Sequence, residues 1–318
     1  MKPIHQPIDQ HDEHPEDRGR SQPRLEKYFR AMMKAGASDL HLKPGSVPHV
    51  RVRSSIRPTQ AEALSGLEIE EMALELLTDK QRVFFEEHGS IDVAHELEDS
   101  DRFRVNIYRQ RGHVAIAVRR VTRSIPDFAS LHLPPVLAKV SQESQGLVLL
   151  SGATGCGKST TIASMLEYIN TTRACHIVTI EDPIEYLYVD KKAIVSQREI
   201  GIDVETFDSA LKYLMREDPD VVLIGELRDH ETFQAALQAS ETGHLVFATV
   251  HASSASQTIG RILDLFPPEG RELVRQSLAF NLKAVICQKL LPAIAPGIDR
   301  VPSVEIMGQA AAGVSTGE

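Results

Sequence analysis

The stretch LVLLSGATGCGKST, residues 147 to 160, limits the possible folds of this chain more than any other feature. It contains the pattern G-x-x-x-x-G-K-[ST] from Gly152 to Ser159, after an apolar run and before a segment with helical spacing. This pattern binds phosphate when a strand enters a helix through the glycine-rich loop. The backbone N–H groups of such a loop can turn inward around an anion, and the helix N-terminus adds partial positive charge. The stretch therefore predicts a nucleotide-binding α/β domain, the alternative being a glycine-rich turn without a ligand.

Nine consecutive residues of this loop are candidates for holding ATP. We expect Lys158 to reach the β- and γ-phosphates, Ser159 to ligate Mg²⁺ and Thr160 to lie on the side of the α-phosphate. Cys156 is expected to serve only as a small loop residue. The predicted nucleotide-binding set is Gly152, Ala153, Thr154, Gly155, Cys156, Gly157, Lys158, Ser159 and Thr160.

Around the loop, short apolar runs alternate with helical stretches. The runs cover 147–151, 176–180, 221–225 and 244–250, and the helical stretches cover 158–170, 206–217, 229–241 and 254–265. Continuous apolar runs separated by helices indicate parallel strands that are covered on both faces. Between residues 185 and 200, the segments EYLYV and AIVSQRE flank DKK and predict a hairpin.

The sequence before residue 137 has a different texture. Residues 1–23 contain almost no large apolar side chain and predict a disordered tail. Residues 24–123 combine amphipathic helices with alternating strands and predict a mixed α+β domain. Residues 124–136 contain three prolines and predict a linker, so that the α/β domain occupies 137–318.

Composition excludes several classes of protein. No window offers the roughly 18 uncharged apolar residues of a membrane helix, and the N-terminus has no apolar signal region. The three cysteines are scattered, which excludes a disulfide framework or cysteine zinc site and fits a reducing cytoplasm. The net charge of −9 disfavours broad binding of nucleic acid. We therefore expect a soluble cytoplasmic protein that does not bind nucleic acid.

Polar residues follow three of the predicted strands, at the edge of the sheet where ligands bind in α/β folds. Glu181, Asp182 and Glu185 follow the run HIVTI, Glu226 follows VVLIG, and His251 follows HLVFATV. Each alone can be a solvated strand end. Because all three sets share an edge with the phosphate loop, we expect them to form one catalytic site with it.

Hydrolysis of ATP needs a positioned water, a metal ion and charge neutralisation. Glu226 is the first candidate for orienting or deprotonating that water, and Glu185 the second. His251 is a candidate for sensing the γ-phosphate, whereas His244 is expected to be a structural or interface residue. With no aspartate inside the strand before Glu226, we expect Mg²⁺ to be held directly by serine and through water by acids: Ser159, Glu181 and Asp182.

Seven arginines lie between residues 102 and 123. Most are expected to cover a solvated sheet face. An arginine can also stabilise the transition state of phosphoryl transfer from a neighbouring domain or subunit. If any of these arginines acts across an interface, the active unit must be a ring.

Six motifs occur in one order and spacing: ASDLHL (37–42), RFRVN, GATGCGKST, TIEDPIEY, REDPDVVLIGELRD and ETGHLVFATVH. Together they resemble the GspE/PulE/PilT secretion ATPase superfamily, and most closely the type IV pilus retraction ATPases of the PilT/PilU kind. The resemblance covers roughly residues 25 to 307.

The resemblance implies a PAS-like N-terminal domain followed by a RecA-like P-loop NTPase domain with a mainly parallel sheet. It implies a homo-hexameric ring on the cytoplasmic face of the inner membrane that hydrolyses ATP and acts on a pilus platform protein. By the same resemblance, Glu226 is the Walker B glutamate, Glu181 to Glu185 form the Asp box, and His244 to His251 form the His box. The trans-acting arginines fall on Arg104 and Arg119.

Two departures from this family bear on function. A four-cysteine zinc insert is absent from the sequence, which favours retraction over assembly or type II secretion. The chain ends at VEIMGQAAAGVSTGE, where similar proteins continue through further helices that include an AIRNLI element, so its C-terminal region is expected to be truncated. The alternatives are therefore an ATP-binding accessory paralogue in mixed rings, an assembly or secretion ATPase, and, least favoured, a RecA-like nucleic-acid motor.

Overall fold

The computed structural model describes residues 23–52, 55–97, 100–294 and 300–308. It divides into two compact units, of which the first comprises Met1–Leu97 and Phe103–Arg120, and the second Glu98–Arg102 and Val121–Glu318. The predicted tail, apart from Pro23, lies outside the described residues, and the domain limits read from the sequence stay predictions. No helix in the described part of the chain is long and apolar enough to cross a membrane.

The first unit is built on a six-stranded sheet in the order β3-β2-β1-β6-β5-β4, in which β1 pairs antiparallel with β2 and β6. Three helices accompany it. The elements are α1 (Glu26–Lys34), β1 (Asp39–Leu42), β2 (His49–Val52), β3 (Ser55–Pro58), α2 (Gly66–Leu76), α3 (Asp79–His88), β4 (Ser90–Glu96), β5 (Arg102–Gln110) and β6 (His113–Val121).

Local sequence explains the helix limits in this unit. Ser65 and Thr78 each begin a helix with a capping box, in which the hydroxyl accepts a backbone N–H three residues later. Gly89 ends α3 in the left-handed conformation, at a φ of 72°. The helices cover a core in which the buried rings of Phe29 and Phe103 stack with centroids 4.4 Å apart.

The second unit contains a seven-stranded sheet in the order β13-β12-β7-β11-β10-β8-β9. Its strands are parallel except β13, which pairs antiparallel with β12. The elements are α4 (Val136–Ser141), β7 (Gly146–Ser151), α5 (Lys158–Thr172), β8 (His176–Glu181), β9 (Ile194–Glu199), α6 (Phe207–Leu214), β10 (Val221–Ile224), α7 (His230–Glu241), β11 (Leu245–Val250), α8 (Ala255–Asp264), α9 (Arg271–Asn281), β12 (Leu282–Pro292) and β13 (Arg300–Gly308).

Both faces of this sheet are buried. Along β7, Leu147 and Leu149 pack into one hydrophobic core, and Val148 and Leu150 pack into the core on the opposite face. Such alternation within a fully apolar strand is expected when helices cover both sides. The predicted α/β architecture with a mainly parallel sheet is therefore confirmed.

The predicted hairpin between residues 185 and 200 is wrong. Ile194–Glu199 forms β9, which pairs in parallel with β8 at the edge of the main sheet. The preceding segment EYLYV forms only an isolated bridge between Tyr186 and Thr122. Its backbone is held instead by two side-chain amides. Gln197 of β9 donates to the carbonyl of Tyr186 and accepts from the N–H of Tyr188. The buried Asn170 donates to the carbonyl of Val189 and, just beyond the segment, accepts from the N–H of Lys191. Hydrogen bonds from side chains thus replace the strand pairing that the hairpin would have given this segment.

Candidate functional site

A cavity of about 770 Å³ opens in the second unit at the carboxyl ends of β7, β8, β10 and β11. The phosphate loop forms one wall, and the polar residues that follow the other strands form the opposite walls. Predicted site residues that line it are Thr154, Gly155, Gly157, Lys158, Ser159, Thr160, Glu181, Asp182, Glu185, Glu226 and His251. The structure thus brings together the three sets of strand-end residues and the loop.

The loop needs glycine at three positions. Gly152, Gly155 and Gly157 have φ angles of 145°, 76° and 90°, which L-residues rarely adopt. A Cβ at Gly152 would lie 2.5 Å from Sγ of Cys156, and a Cβ at Gly157 would lie 2.8 Å from Nε2 of Gln288. At these positions the loop therefore presents backbone rather than side chains.

The polar side chains of the loop lie at the first turn of α5. The Lys158 ammonium group donates to the carbonyls of Gly152, at 2.9 Å, and Ala153, at 3.2 Å. This keeps the ammonium over the loop, where an anion would meet it. The Thr160 hydroxyl is hydrogen-bonded to the Tyr186 hydroxyl at 3.0 Å, which ties the helix to the segment after β8.

Glu226 is the centre of a charged network at the tip of β10. Its Oε1 lies 3.0 Å from Nε2 of His251, and its Oε2 accepts a 2.7 Å hydrogen bond from Nε of Arg228. A second carboxylate, that of Asp182, lies 3.7 Å from the Arg228 guanidinium. The hydrogen bond to Glu226 raises the pKa of the Arg228 guanidinium above its ordinary value. Three strand ends are therefore joined by direct polar contacts, because Asp182 follows β8 and His251 follows β11.

Glu181 differs from the exposed acids Asp182 and Glu185 because it is only partly accessible to solvent. Burial raises its pKa from 4.5 to about 7, although hydrogen bonds from Thr179, at 2.6 Å, and Gln197, at 3.2 Å, act in the opposite direction. Glu185 is exposed at the rim of the same cavity. The acids predicted from one motif thus occupy two environments.

The candidate arginines belong to the first unit. Arg119 donates from Nε to the Asp39 carboxylate at 3.0 Å, and Arg51 lies 3.4 Å from the same group. Arg104 lies half-buried in β5. In the part of the chain that the structure describes, neither Arg104 nor Arg119 is among the residues lining the cavity of the second unit. Their action on a neighbouring subunit stays a prediction.

His244 lies apart from the cavity lining. Its Nδ1 donates to the carbonyl of Ala239, at 2.9 Å, and lies 3.2 Å from the hydroxyl of Thr242. These contacts close the C-terminus of α7, which fits the structural role considered for this residue rather than a catalytic one.

Among the residues that line or support the site, Arg228 and Gln288 were not predicted from the sequence. Arg228 lines the cavity and holds Glu226, and it is adjacent to the predicted acid in the motif ELRD. Gln288 is 3% exposed and contacts the underside of the phosphate loop. The available signal for Gln288 was its position directly after the apolar run AVIC, since a polar residue within a buried strand must find partners.

The donor set fits Mg²⁺ bound together with a nucleotide. In the described ranges, no group of three or more His, Cys, Asp or Glu side chains is placed to hold a metal ion alone. Magnesium bound with phosphates usually takes only one or two protein ligands and keeps several waters. The Ser159 hydroxyl beside the loop, with Asp182 and Glu181 across the cavity, matches that requirement.

The fold and the site can be compared with those of known proteins. Residues 15–314 match the family model described as "Type II/IV secretion system protein". This chain belongs to that family. Family membership agrees with the α/β unit, its phosphate loop and the acid at the tip of β10.

Within this family, the chain is similar to pilus retraction proteins. It is 43% identical over 274 residues to the type IV pilus retraction ATPase PilT of Pseudomonas aeruginosa, covering 86% of this chain and 79% of the relative. It is 40% identical over 268 residues to the type IV pilus ATPase PilU of the same organism, covering 84% and 70%. A crystal structure of the pilus retraction motor PilT with bound ADP matches with a TM-score of 0.83 and 44% identity, over 89% of this chain and 82% of that one. The resemblance noted in the sequence is confirmed, and the chain is a nucleotide-binding ATPase of this family.

Proposed function

We propose that this chain is the subunit of a hexameric motor that hydrolyses ATP to drive type IV pilus retraction, and with it twitching motility. The observation that carries the proposal is the cavity in which the phosphate loop faces Glu226. The Glu226 carboxylate is held there between His251 and Arg228. Similarity to PilT and PilU over most of the chain supports the pilus as the object on which the motor acts. The ring would lie on the cytoplasmic face of the inner membrane, against a pilus platform protein, with paralogous ATPases as further partners.

Each side chain has a role in this proposal. The loop N–H groups and Lys158 bind the phosphates of ATP, and Glu226 orients the attacking water and takes its proton. His251 reports the presence of the γ-phosphate through its contact with Glu226. Glu185, at the rim, provides a second carboxylate near the γ-phosphate.

The metal would be held by Ser159 directly and by Glu181 and Asp182 through water. When bound, Mg²⁺ neutralises charge on the phosphate oxygens during transfer. Because these three residues also line the cavity, the same walls serve the nucleotide and the ion.

Arg104 and Arg119 would complete the site of the neighbouring subunit. The support for Arg119 is its exposure, since 69% of its side chain remains accessible while it is paired with Asp39. An arginine supplied across an interface stabilises charge on the transferred phosphoryl group and makes hydrolysis depend on assembly. Because every site then needs an arginine from a neighbouring subunit, the subunits must form a closed ring.

Mixing two inactive variants tests the ring. Glu226→Gln removes the base but keeps the arginines, whereas Arg104→Ala keeps the base and removes a donated cation. Each variant alone should lose ATPase activity by about 10²- to 10⁴-fold. Mixed rings should recover activity, because Glu226→Gln subunits supply Arg104 to Arg104→Ala subunits. No recovery, in mixtures shown by size to form joint rings, would contradict action across the interface.

Genetic complementation tests the motor. The wild-type gene should restore twitching to a strain that lacks its retraction ATPase, and the Lys158→Ala gene should not. If the purified protein hydrolyses ATP but its gene fails to restore motility while the strain's own ATPase succeeds, the chain is an accessory subunit rather than the motor.

A further inference from the structure

Gln288 is a polar residue buried in β12 beneath the phosphate loop. It is 3% exposed, and a buried amide is costly unless both of its ends are hydrogen-bonded. Both are bonded here. Its Nε2 donates to the carbonyl of Cys156 at 2.8 Å, and its Oε1 accepts from the hydroxyl of Thr161 at 2.8 Å. The side chain therefore links the end of the loop to the first turn of α5.

The loop is packed directly on this residue. A Cβ at Gly152 would lie 2.5 Å from the backbone carbonyl oxygen of Gln288, and a Cβ at Gly157 would lie 2.8 Å from its Nε2. The first and last glycines of the loop thus contact the same residue. A substitution that alters the side chain of Gln288 therefore acts directly at Gly157, whereas Gly152 packs on the backbone of the same residue.

The bond to Cys156 also sets the direction of the next N–H group. A trans peptide is planar, so its C=O and N–H point in opposite directions. Because Gln288 holds the carbonyl of Cys156, the N–H of Gly157 points away from Gln288. Gly157 is the N-cap of α5 and lines the cavity, and no side chain caps this helix. Uncapped N–H groups at such a position are donors for an anion.

We propose that Gln288 is a positioning residue for phosphate binding: by holding the Cys156 carbonyl, it orients the Gly157 N–H toward a phosphate oxygen of the nucleotide. Gln288 itself does not touch the nucleotide. The inference rests on the proposed binding of ATP by this loop and adds a residue from β12 to the residues on which that binding depends.

Calorimetric titration of ADP into the full-length protein tests this role. Gln288→Met keeps the volume and removes both hydrogen bonds, and Gln288→Leu removes the same two bonds with a shorter, branched side chain. Thr161→Val is the matched control, because it removes only the other bond of the same amide. The two Gln288 variants should bind ADP about 10- to 100-fold more weakly than wild type. Thr161→Val should bind ADP within about threefold of the wild-type affinity, although loss of its hydrogen bond lowers the thermal unfolding midpoint.

Steady-state kinetics give a second readout, in which the Gln288 variants raise KM for ATP far more than they lower kcat. Equal ADP affinity in a folded Gln288→Met or Gln288→Leu protein would overturn the inference while leaving ATP binding by the loop intact. So would a Thr161→Val variant that binds as weakly as Gln288→Met, since the role would then be general packing. A wild-type protein that does not bind ADP would instead overturn the proposed function and this inference together. If Gln288→Met does not fold, the Gln288→Leu variant decides.

Discussion

Replacing Gly157 by alanine tests the packing of the phosphate loop, with Gly155→Ala as its control. Both glycines adopt the left-handed region, at φ angles of 90° and 76°. An alanine there costs about 1–2 kcal/mol at either position. The surroundings differ, however. A Cβ at Gly157 would lie 2.8 Å from Nε2 of Gln288, whereas a Cβ at Gly155 would meet nothing within 4 Å.

The difference between the two variants can be worked out from these contacts. To accommodate the methyl group, the Gln288 amide must move and lose its 2.8 Å bond to Cys156, which is worth about 0.5–1.5 kcal/mol. Displacing a fully packed side chain adds about 1–3 kcal/mol. Gly157→Ala should therefore lower the free energy of unfolding by about 2–4 kcal/mol more than Gly155→Ala.

Urea unfolding followed by far-ultraviolet circular dichroism measures this difference, because the chain has no tryptophan to report by fluorescence. The free energies of the two variants are compared at the same pH and without nucleotide. Equal stability of the two variants would refute the reasoning, since left-handed strain alone would then account for both.

Three further predictions concern the acids and their partner. Glu226→Gln should lower kcat by about 10²- to 10⁴-fold and leave ADP affinity within about twofold, as measured by turnover and titration. Glu181 has a pKa raised from 4.5 to about 7, so the folded state keeps a proton that the unfolded state releases. As pH rises from 4.5 to 7 without nucleotide, the free energy of unfolding of wild type should consequently fall by about 3 kcal/mol more than that of Glu181→Gln, and the difference should level off above pH 7. Parallel pH profiles of the two proteins would exclude a raised pKa at Glu181. Arg228→Ala should change the free energy of unfolding by less than about 1 kcal/mol, because the Arg228 side chain of the ion pair is exposed. The same variant should lower kcat. An unchanged kcat would show that Arg228 is not needed to hold Glu226.

The phosphate loop and the sheet that carries it could be predicted because each depends on local pattern. The glycines, the lysine and the apolar run before them occupy adjacent positions, and a strand-to-helix loop leaves them little choice of geometry. The strand-end acids could be predicted because parallel strands end at one edge, which places Glu226 and His251 together however distant they are in sequence.

What the sequence did not predict depends on contacts between distant segments. The parallel pairing of β9 is one example, because nothing local indicates that the side chains of Asn170 and Gln197 hold the intervening backbone. Gln288 follows Cys156 by 132 positions, and only the packing of β12 beside β7 brings the two residues together. The partial burial of Glu181 is likewise a tertiary property, since the two other acids of the motif, Asp182 and Glu185, are exposed.

The position of β7 within its sheet separates two tasks. On one side, β11, β10 and β8 lead into the acids and the imidazole that we propose for hydrolysis, and on the other side β12 carries the amide beneath the loop. In the proposed mechanism, nucleotide affinity and the rate of hydrolysis would therefore depend on opposite sides of a single strand. An engineer can retune turnover from the acidic flank while leaving affinity in place, or loosen affinity from the β12 flank while keeping the chemistry.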